Sequence, residues 1–166
     1  MPNGPAEVLI ERANIAQCIC RWAACIDLRD WDGFAQQFTD PVEIAVANVD
    51  WDSEVQPRLM TRAQWGETVR DSLRHYSSFQ HVVTPYQIDV EGNEAYAMTY
   101  VMAPHIIKRA GAGNLLLDMG GYYKEYLIKD DGVWRISRHK LHLLWTHGDP
   151  EALALIARDN TSESLK

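Results

Sequence analysis

The chain has 166 residues, enough for one domain with a sizeable core and short for two, and its 46% hydrophobic residues and six tryptophans exclude a disordered chain. A net charge of −7, with lysine and arginine scattered, argues against nucleic acid or an anionic membrane as a partner. No apolar run approaches the roughly 20 residues of a membrane span and the first residues lack a signal-peptide pattern, so we expect a cytoplasmic protein.

The first predicted element is a helix over residues 6–28 with two distinct faces. Large apolar residues recur at helical spacing on one face: Ile15, Ile19, Trp22 and Ile26. Small residues form a second face that also holds Asp27: Ala13, Ala16, Cys20, Ala23 and Ala24. The three cysteines all fall in this helix and form no C-x-x-C pair, so we expect free thiols.

Asp27 is the unusual residue of this helix. A carboxylate near the C-terminus of a helix faces the unfavourable end of the helix dipole, at a cost of up to roughly 1 kcal/mol. Its small neighbours indicate that another part of the chain comes close, as in the wall of a cavity. A buried carboxylate needs a cationic or hydrogen-bonding partner. The alternative is a carboxylate that contacts solvent or caps the next turn.

Two shorter helices follow, each with an N-cap residue. Asp30 precedes a helix over 31–38, with Asp32 in its first turn, and Thr61 precedes a helix over 62–76. We expect a loop over 50–60. Turn sequences such as "EGNE" and "DDG" separate the predicted strands, which cover residues 42–49, 78–90, 95–109, 114–129 and 133–145. Residues 149–166 form a C-terminal tail with a weak helix.

Helices followed by a run of long strands predict an α+β fold, which we assign to a single domain over residues 1–166. Long antiparallel strands with helices on one face tend to curl. A curled sheet over helices encloses a cone, and a cone is a pocket for a small molecule.

His81 is the candidate partner of Asp27. It lies among apolar residues in "SFQHVV", within the first long strand after the third helix. A carboxylate that accepts a hydrogen bond from one ring nitrogen fixes the tautomer and raises the basicity of the other nitrogen. The pair would be a general base near neutral pH without a metal. The alternative is a core histidine bonded to the backbone.

Further candidates lie on the next two strands. His105 alternates along its strand with Thr99, Val101 and Ala103, a smaller set than its neighbours, so it could point into a cavity or lie at the strand end. Whichever of Tyr122 and Tyr123 faces inward could donate a phenolic hydrogen bond to a substrate oxygen, and we retain Tyr123 and Tyr100 as candidate substrate contacts. Gly120-Gly121 indicates a strand bulge or bend rather than a phosphate loop.

Other catalytic and metal-binding patterns are missing from the sequence. His139-x-x-His142 on a strand puts its side chains on opposite faces, which is poor geometry for a metal. H-E-x-x-H, Walker and G-x-G-x-x-G sequences do not occur, nor does a G-x-S-x-G elbow. We therefore expect no metal site.

Four segments together resemble one known family. These are helix–"IDLRDWDGF", "FQHVV", "APHIIK" and "KDDGVWRISRHKLHLLW", which span roughly residues 8–147. They resemble the SnoaL-like branch of the nuclear transport factor two-like superfamily and, within it, the scytalone dehydratase-like proteins. The "D-x-x-D-W-D" and "D-G-V-W-R-I" segments are fold signals, whereas Asp27, His81 and His105 carry the resemblance to the dehydratase.

The resemblance implies a cone-shaped α+β barrel with a deep pocket, no cofactor, and assembly as a homodimer or homotrimer. By the same resemblance, His81 moves the proton in an elimination, Asp27 hydrogen-bonds to it, and His105 positions the substrate or the departing hydroxyl. Tyrosines that polarise the substrate carbonyl in that family are matched here by Ile26 and Val46. The pocket serine and asparagine of that enzyme are matched by Gly121 and Tyr123.

These observations predict a cofactor-independent lyase (a dehydratase) or isomerase acting on a small apolar, polycyclic or aromatic carbonyl compound. Two alternatives stay open. A polyketide-type cyclase or a dehydrohalogenase could use the same pair, and a ligand-binding or assembly module, like the small subunit of an oxygenase, could keep it as a structural feature.

Overall fold

The structure is a computed structural model that describes residues 4–46, 56–111 and 113–154. Its helices are α1 (Pro5–Asp27), α2 (Trp31–Ala35) and α3 (Arg62–Ser72). Its strands are β1 (Phe38–Val46), β2 (Arg58–Met60), β3 (Ser78–Phe79), β4 (Val82–Glu91), β5 (Glu94–Ile107), β6 (Leu115–Asp130) and β7 (Val133–Gly148). Residues 150–154 are helical. Within the described ranges, no helix combines the length and apolar character needed to span a bilayer.

The strands form one curved, unclosed seven-stranded sheet in the order β2-β1-β7-β6-β5-β3, and β4 also pairs with β5. β1 and β7 are parallel, and the other pairs are antiparallel. The helices and the inward residues of the sheet share one hydrophobic core. The predicted α+β fold, a curved sheet over N-terminal helices, is confirmed.

The apolar face of α1 is its buried face, as predicted. Ile15 and Ile19 are fully buried, and Trp22 is 1% exposed. The small-residue face is different, because Ala13, Cys20 and Ala24 are exposed. The expectation that these small residues form the cavity wall is therefore wrong, since the apolar stripe occupies the side of the helix that faces the sheet. All three cysteines are free thiols, as expected.

Both predicted N-caps are present. The Asp30 carboxylate accepts from the Gly33 N–H at 2.9 Å. Thr61 forms a complete capping box with Gln64, in which each side chain accepts from the other residue's backbone N–H. These contacts satisfy N–H groups that a helix start otherwise leaves without partners.

Several predicted boundaries are wrong, and tertiary pairing explains the differences. The second helix ends at Ala35 rather than at residue 38, because Phe38 is already the buried start of β1. α3 ends at Ser72, short of residue 76, and the predicted loop over 50–60 contains β2, which pairs with β1. Residues 47–55 and 155–166, including parts of the predicted strand, loop and tail, lie outside the described residues.

The predicted strand over 78–90 is two strands separated by Gln80 and His81. Phe79 of β3 pairs with His105, and Val82 of β4 pairs with Met102, so both lie along the same edge of β5. The His81 N–H is bonded to the Asp27 carboxylate at 2.8 and 3.0 Å instead of to a strand. Residue 81 therefore leaves the ladder because α1 supplies its hydrogen-bond acceptor.

Two bulges shape β7. The register against β6 shifts between Gly120 and Gly121, and again between Tyr126 and Leu127. The first lies at the glycine pair, where a bulge or bend was predicted, but its extra residue, Leu144, belongs to β7. After the second, the buried positions of β7 change from the even-numbered Trp134 and Ile136 to the odd-numbered His139.

At the first bulge, the backbones of β6 and β7 come so close that a substitution there should change stability. A methyl group on Gly121 would collide with the backbone carbonyl oxygen of His142, whereas one on Gly113 would meet nothing within 4 Å. We expect Gly121→Ala to lower the free energy of unfolding by about 1–3 kcal/mol. Gly113→Ala should change it by less than about 0.5 kcal/mol. Urea unfolding of both variants checks this, and equal stability would contradict the packing.

Candidate functional site

A cavity of about 280 Å³ lies between the helices and the inner face of the sheet. It is close to the lower end of the range for small-molecule sites, about 300–1,000 Å³. Five of the predicted site residues line it: Ile26, Val46, His81, His105 and Tyr123. The lining also includes aromatic residues that the sequence did not single out, among them Trp22 and Trp65.

The Asp27 carboxylate lies behind His81 and makes three contacts with it. Asp27 Oδ1 is 2.7 Å from the ring Nδ1, and its two oxygens accept the His81 backbone N–H. The Asp27 side chain is 21% exposed and that of His81 is 9% exposed. Asp27 is not itself part of the cavity lining. It is placed to fix the position and tautomer of His81 rather than to touch a ligand.

This contact leaves the other ring nitrogen of His81 available. Because an ionised carboxylate only accepts, the proton of a neutral His81 ring lies on Nδ1, and this tautomer leaves the lone pair on Nε2. Nε2 makes no hydrogen bond within the described residues and is not sealed from solvent. Trp22 and Phe79 hold the ring edge-on, with ring centroids 6.3 and 6.0 Å from it. The geometry is that of a base whose lone pair opens on the cavity.

His105 is a second histidine at the same end of the cavity. Its ring centroid is 5.9 Å from that of His81, and the side chain is buried, since the residue is 2% exposed. Its Nδ1 lies 2.9 Å from the Ala103 carbonyl oxygen, to which it donates. Burial, followed by repulsion from His81, lowers the pKa of His105 to about 4. The His105 ring is therefore uncharged at neutral pH.

The three candidate tyrosines do not all lie on the same face of the sheet. Tyr123 is buried in the cavity wall, and burial together with the nearby Glu125 raises the pKa of its phenol, which stays protonated. Tyr122 lies on the outer face and stacks on His142, with ring centroids 4.8 Å apart. The prediction of Tyr100 as a substrate contact is corrected, because Tyr100 is 51% exposed on the outer face and stacks on Tyr86.

A second histidine–carboxylate pair was missed by the sequence reasoning. Glu125 is fully buried, and its carboxylate lies 3.1 Å from His139 Nδ1, while His139 lines the cavity. The signal available in the sequence was the hairpin around "DDG", which brings positions 125 and 139 opposite each other on β6 and β7. His142 lies on the outer face against Tyr122, so residues 139 and 142 do point apart as predicted.

Comparison with protein-family models matches residues 7–140 to the SnoaL-like domain. That range includes Asp27, His81 and His105, and all of the strands except the last part of β7. A comparison with curated protein sequences gives no significant match.

Solved structures share the fold over most of the chain. The Kfla4162 protein of Kribbella flavida is 23% identical, with a TM-score of 0.75 over 84% of this chain and 95% of that chain. A candidate scytalone dehydratase from Novosphingobium aromaticivorans is 19% identical, with a TM-score of 0.70 over 84% of this chain and 87% of that chain. A hexachlorocyclohexane dehydrochlorinase, LinA-type3 from Novosphingobium barchaimii, is 15% identical, with a TM-score of 0.71 over 89% of this chain and 95% of that chain.

The burial of His105 leads to a prediction about how the stability of the fold depends on pH. Its folded-state pKa of about 4 lies below the ordinary value of 6.5, so between these pH values the unfolded chain binds the extra proton and the folded chain does not. His105 should therefore reduce stability progressively as pH falls from 6.5 towards 4, by up to roughly 3 kcal/mol.

Urea unfolding between pH 7 and pH 4.5 checks this against His105→Asn, which keeps a donor near the Ala103 carbonyl but cannot titrate. The variant should lose less stability than the wild type over this range. Identical pH dependence in the two proteins, or a His105 ring that titrates near pH 6.5 by NMR, would contradict the prediction.

Proposed function

This chain belongs to the SnoaL-like domain family of the nuclear transport factor two-like superfamily, and from that premise we propose that it is a cofactor-independent lyase, of dehydratase type, or an isomerase. The single observation that carries the proposal is the Asp27–His81 pair, with 2.7 Å between Oδ1 and Nδ1 and with Nε2 open to an apolar cavity. An oriented imidazole in such a cavity is suited to taking a proton from carbon.

The proposed step begins when His81 Nε2 removes a proton from the carbon next to a carbonyl group. The electron pair of that C–H bond forms the new carbon–carbon double bond as a β-hydroxyl departs with its own bonding pair. The departing hydroxyl takes the abstracted proton from the His81 imidazolium and leaves as water, which returns His81 to its neutral form. Asp27 stabilises the imidazolium that forms on His81, as the carboxylate does in other histidine-based sites. In the isomerase version, the same proton returns to a different carbon of the substrate.

His105 acts in this proposal without a charge. Its ring lies 5.9 Å from that of His81, close enough for both to contact a single small substrate. With a pKa of about 4, it does not supply a proton from an imidazolium at neutral pH. Its role is to position the departing hydroxyl.

The cavity wall favours an apolar, polycyclic or aromatic carbonyl compound. Ile26 and Val46 stand where the resembled enzyme has tyrosines, and both line the cavity. Trp22 and Tyr123 add aromatic surface, with ring centroids 5.0 Å apart. A flat apolar ring system is the ligand that such walls recognise through area and edge-to-face contacts.

A dehydrohalogenase is the second candidate, supported by the fold shared with the dehydrochlorinase of Novosphingobium barchaimii. It would use the same proton abstraction with a halide as the leaving group, and a polyketide-type cyclase would use it to form a carbon–carbon bond. An assembly module in the manner of an oxygenase small subunit needs neither the cavity nor an open Nε2, so the open cavity of about 280 Å³ favours an enzyme.

We also propose that the protein is a homodimer or homotrimer that associates through the outer face of the sheet. Large apolar side chains are exposed there, including Tyr100 at 51% and Met102 at 57%. Exposed apolar patches on a sheet commonly mark an interface.

Two substitutions test the catalytic proposal. His81→Ala removes the base, and Asp27→Asn removes the charge that orients it and stabilises its protonated form. Each should lower turnover on the order of 10²- to 10⁴-fold. The assay follows a panel of β-hydroxy ketones for loss of water, chlorinated analogues for chloride release, and both for deuterium uptake at the α-carbon in D₂O.

Matched controls are His147→Ala and Asp32→Asn, which change exposed residues outside the cavity and should leave turnover unchanged. Circular dichroism verifies that the four variants are folded. Wild-type turnover in either site variant would overturn the mechanism.

Association through the outer face is tested with Tyr100→Glu and Met102→Glu, which place charges in an apolar patch. Light scattering after size exclusion should give a dimer or trimer for the wild type and a monomer for the double variant. A monomeric wild-type protein at micromolar concentration would contradict the proposal.

A further inference from the structure

The Glu125–His139 pair differs from the Asp27–His81 pair in burial. Glu125 is fully buried and His139 is 3% exposed. Besides His139 Nδ1, the Glu125 carboxylate contacts two uncharged donors at 3.1 Å each, the Trp22 indole N–H and the Thr99 hydroxyl. No lysine or arginine contacts Glu125 among the described residues, so only His139 can neutralise its charge.

Burial disfavours a net negative charge that no cation offsets. Two arrangements of the pair carry no net charge, an ionised Glu125 with a doubly protonated His139, and a protonated Glu125 that donates to His139 Nδ1. In either arrangement, His139 Nε2 would be a hydrogen-bond donor.

The second ring nitrogen of His139, Nε2, opens on the cavity. His139 lines the cavity, and its Nε2 makes no hydrogen bond among the described residues. The enclosed side-chain polar atoms without a partner in the described ranges are Trp65 Nε1 and His142 Nε2, so His139 Nε2 is not fully enclosed. Because Glu125 occupies the Nδ1 side of the ring, the access to Nε2 is from the cavity.

His139 and His81 both pack against Trp22. The Trp22 ring centroid is 6.3 Å from that of His81 and 5.3 Å from that of His139. Tyr123 stacks on His139, with ring centroids 4.5 Å apart and 24° between the planes, which fixes the orientation of the imidazole. Both histidines line the same cavity, so both are available to a ligand that fills it.

We propose that the Glu125–His139 pair carries no net charge and that His139, oriented by Glu125, forms a polar subsite that donates a hydrogen bond from Nε2 to the carbonyl oxygen of an apolar ring compound. This rests on the proposed function in placing the carbonyl substrate in the same cavity. The subsite supplies the carbonyl-binding group that Ile26 and Val46 cannot supply. His139 contacts the ligand, and Glu125 is a positioning residue that keeps the donor in place.

The test compares 1-tetralone with tetralin, which have the same ring system with and without the carbonyl. Calorimetry or tryptophan fluorescence should show that the wild type binds 1-tetralone at least about tenfold more tightly, the discrimination expected of one well-placed hydrogen bond. His139→Asn keeps a donor for Glu125 but does not reach the cavity, and it should bind the two compounds equally. His142→Asn, the same change on the outer face of β7, should keep the preference.

A measurement on the wild type does not depend on folding of a variant. In a ¹⁵N-histidine NMR spectrum, His139 Nε2 should carry a proton in the free protein, and its signal should move on addition of 1-tetralone but not of tetralin. An unprotonated Nε2, an unmoved signal, equal binding of the two compounds by the wild type, or a preference retained in His139→Asn would each overturn the subsite.

The outcomes separate the subsite from the proposed reaction. His81→Ala should lose proton abstraction and keep the preference for 1-tetralone, because the subsite does not involve that residue. A carbonyl preference that depends on His139, without turnover of any substrate, would support the subsite and refute the proposed function. Turnover that depends on His81, together with equal binding of the two compounds, would support the proposed function and refute the subsite.

Discussion

The Asp27 carboxylate joins the end of α1 to a break in the sheet, and the arrangement of the site depends on that contact. Both of its oxygens accept the His81 backbone N–H, and one also meets the ring Nδ1 at 2.7 Å. A carboxylate that carries three such contacts offsets its unfavourable place at a helix C-terminus. The same contact interrupts the strand, positions the imidazole and leaves its free nitrogen on the cavity.

The parts of the fold that were predictable are those set by local chemistry. The apolar stripe of α1, the caps at Asp30 and Thr61 and the turns between the long strands all follow from short-range spacing. The parts that were missed depend on residues far apart in sequence. β2 exists because it pairs with β1, and the interruption at His81 exists because α1 provides an acceptor. Neither partner is visible from the local sequence.

The candidate site shows the same division. Asp27 and His81 could be predicted because each is unusual where it stands, a carboxylate at a helix end and a histidine in an apolar strand. Glu125 and His139 are ordinary in their local sequence, and only the register of the β6–β7 hairpin makes them a pair. Tyr100 was assigned to the wrong face although it alternates with Thr99 and Val101, which are buried.

The second bulge in β7 determines the chemical character of the cavity. Upstream of it, Trp134 and Ile136 face the core, and the extra residue lets His139 do so, while Arg138 pairs on the outside with Glu43 at 2.9 Å. If β7 kept all of its residues and had no bulge, the alternation would place Arg138 and Lys140 on the inner face. The bulge absorbs one residue and thus separates a chamber for uncharged aromatic compounds from one lined with cations and suited to anionic ligands. An insertion or deletion in β7 that no bulge absorbs would exchange the two faces of the strand beyond it, and so change the charge of the molecules that the cavity accepts without replacing a single side chain.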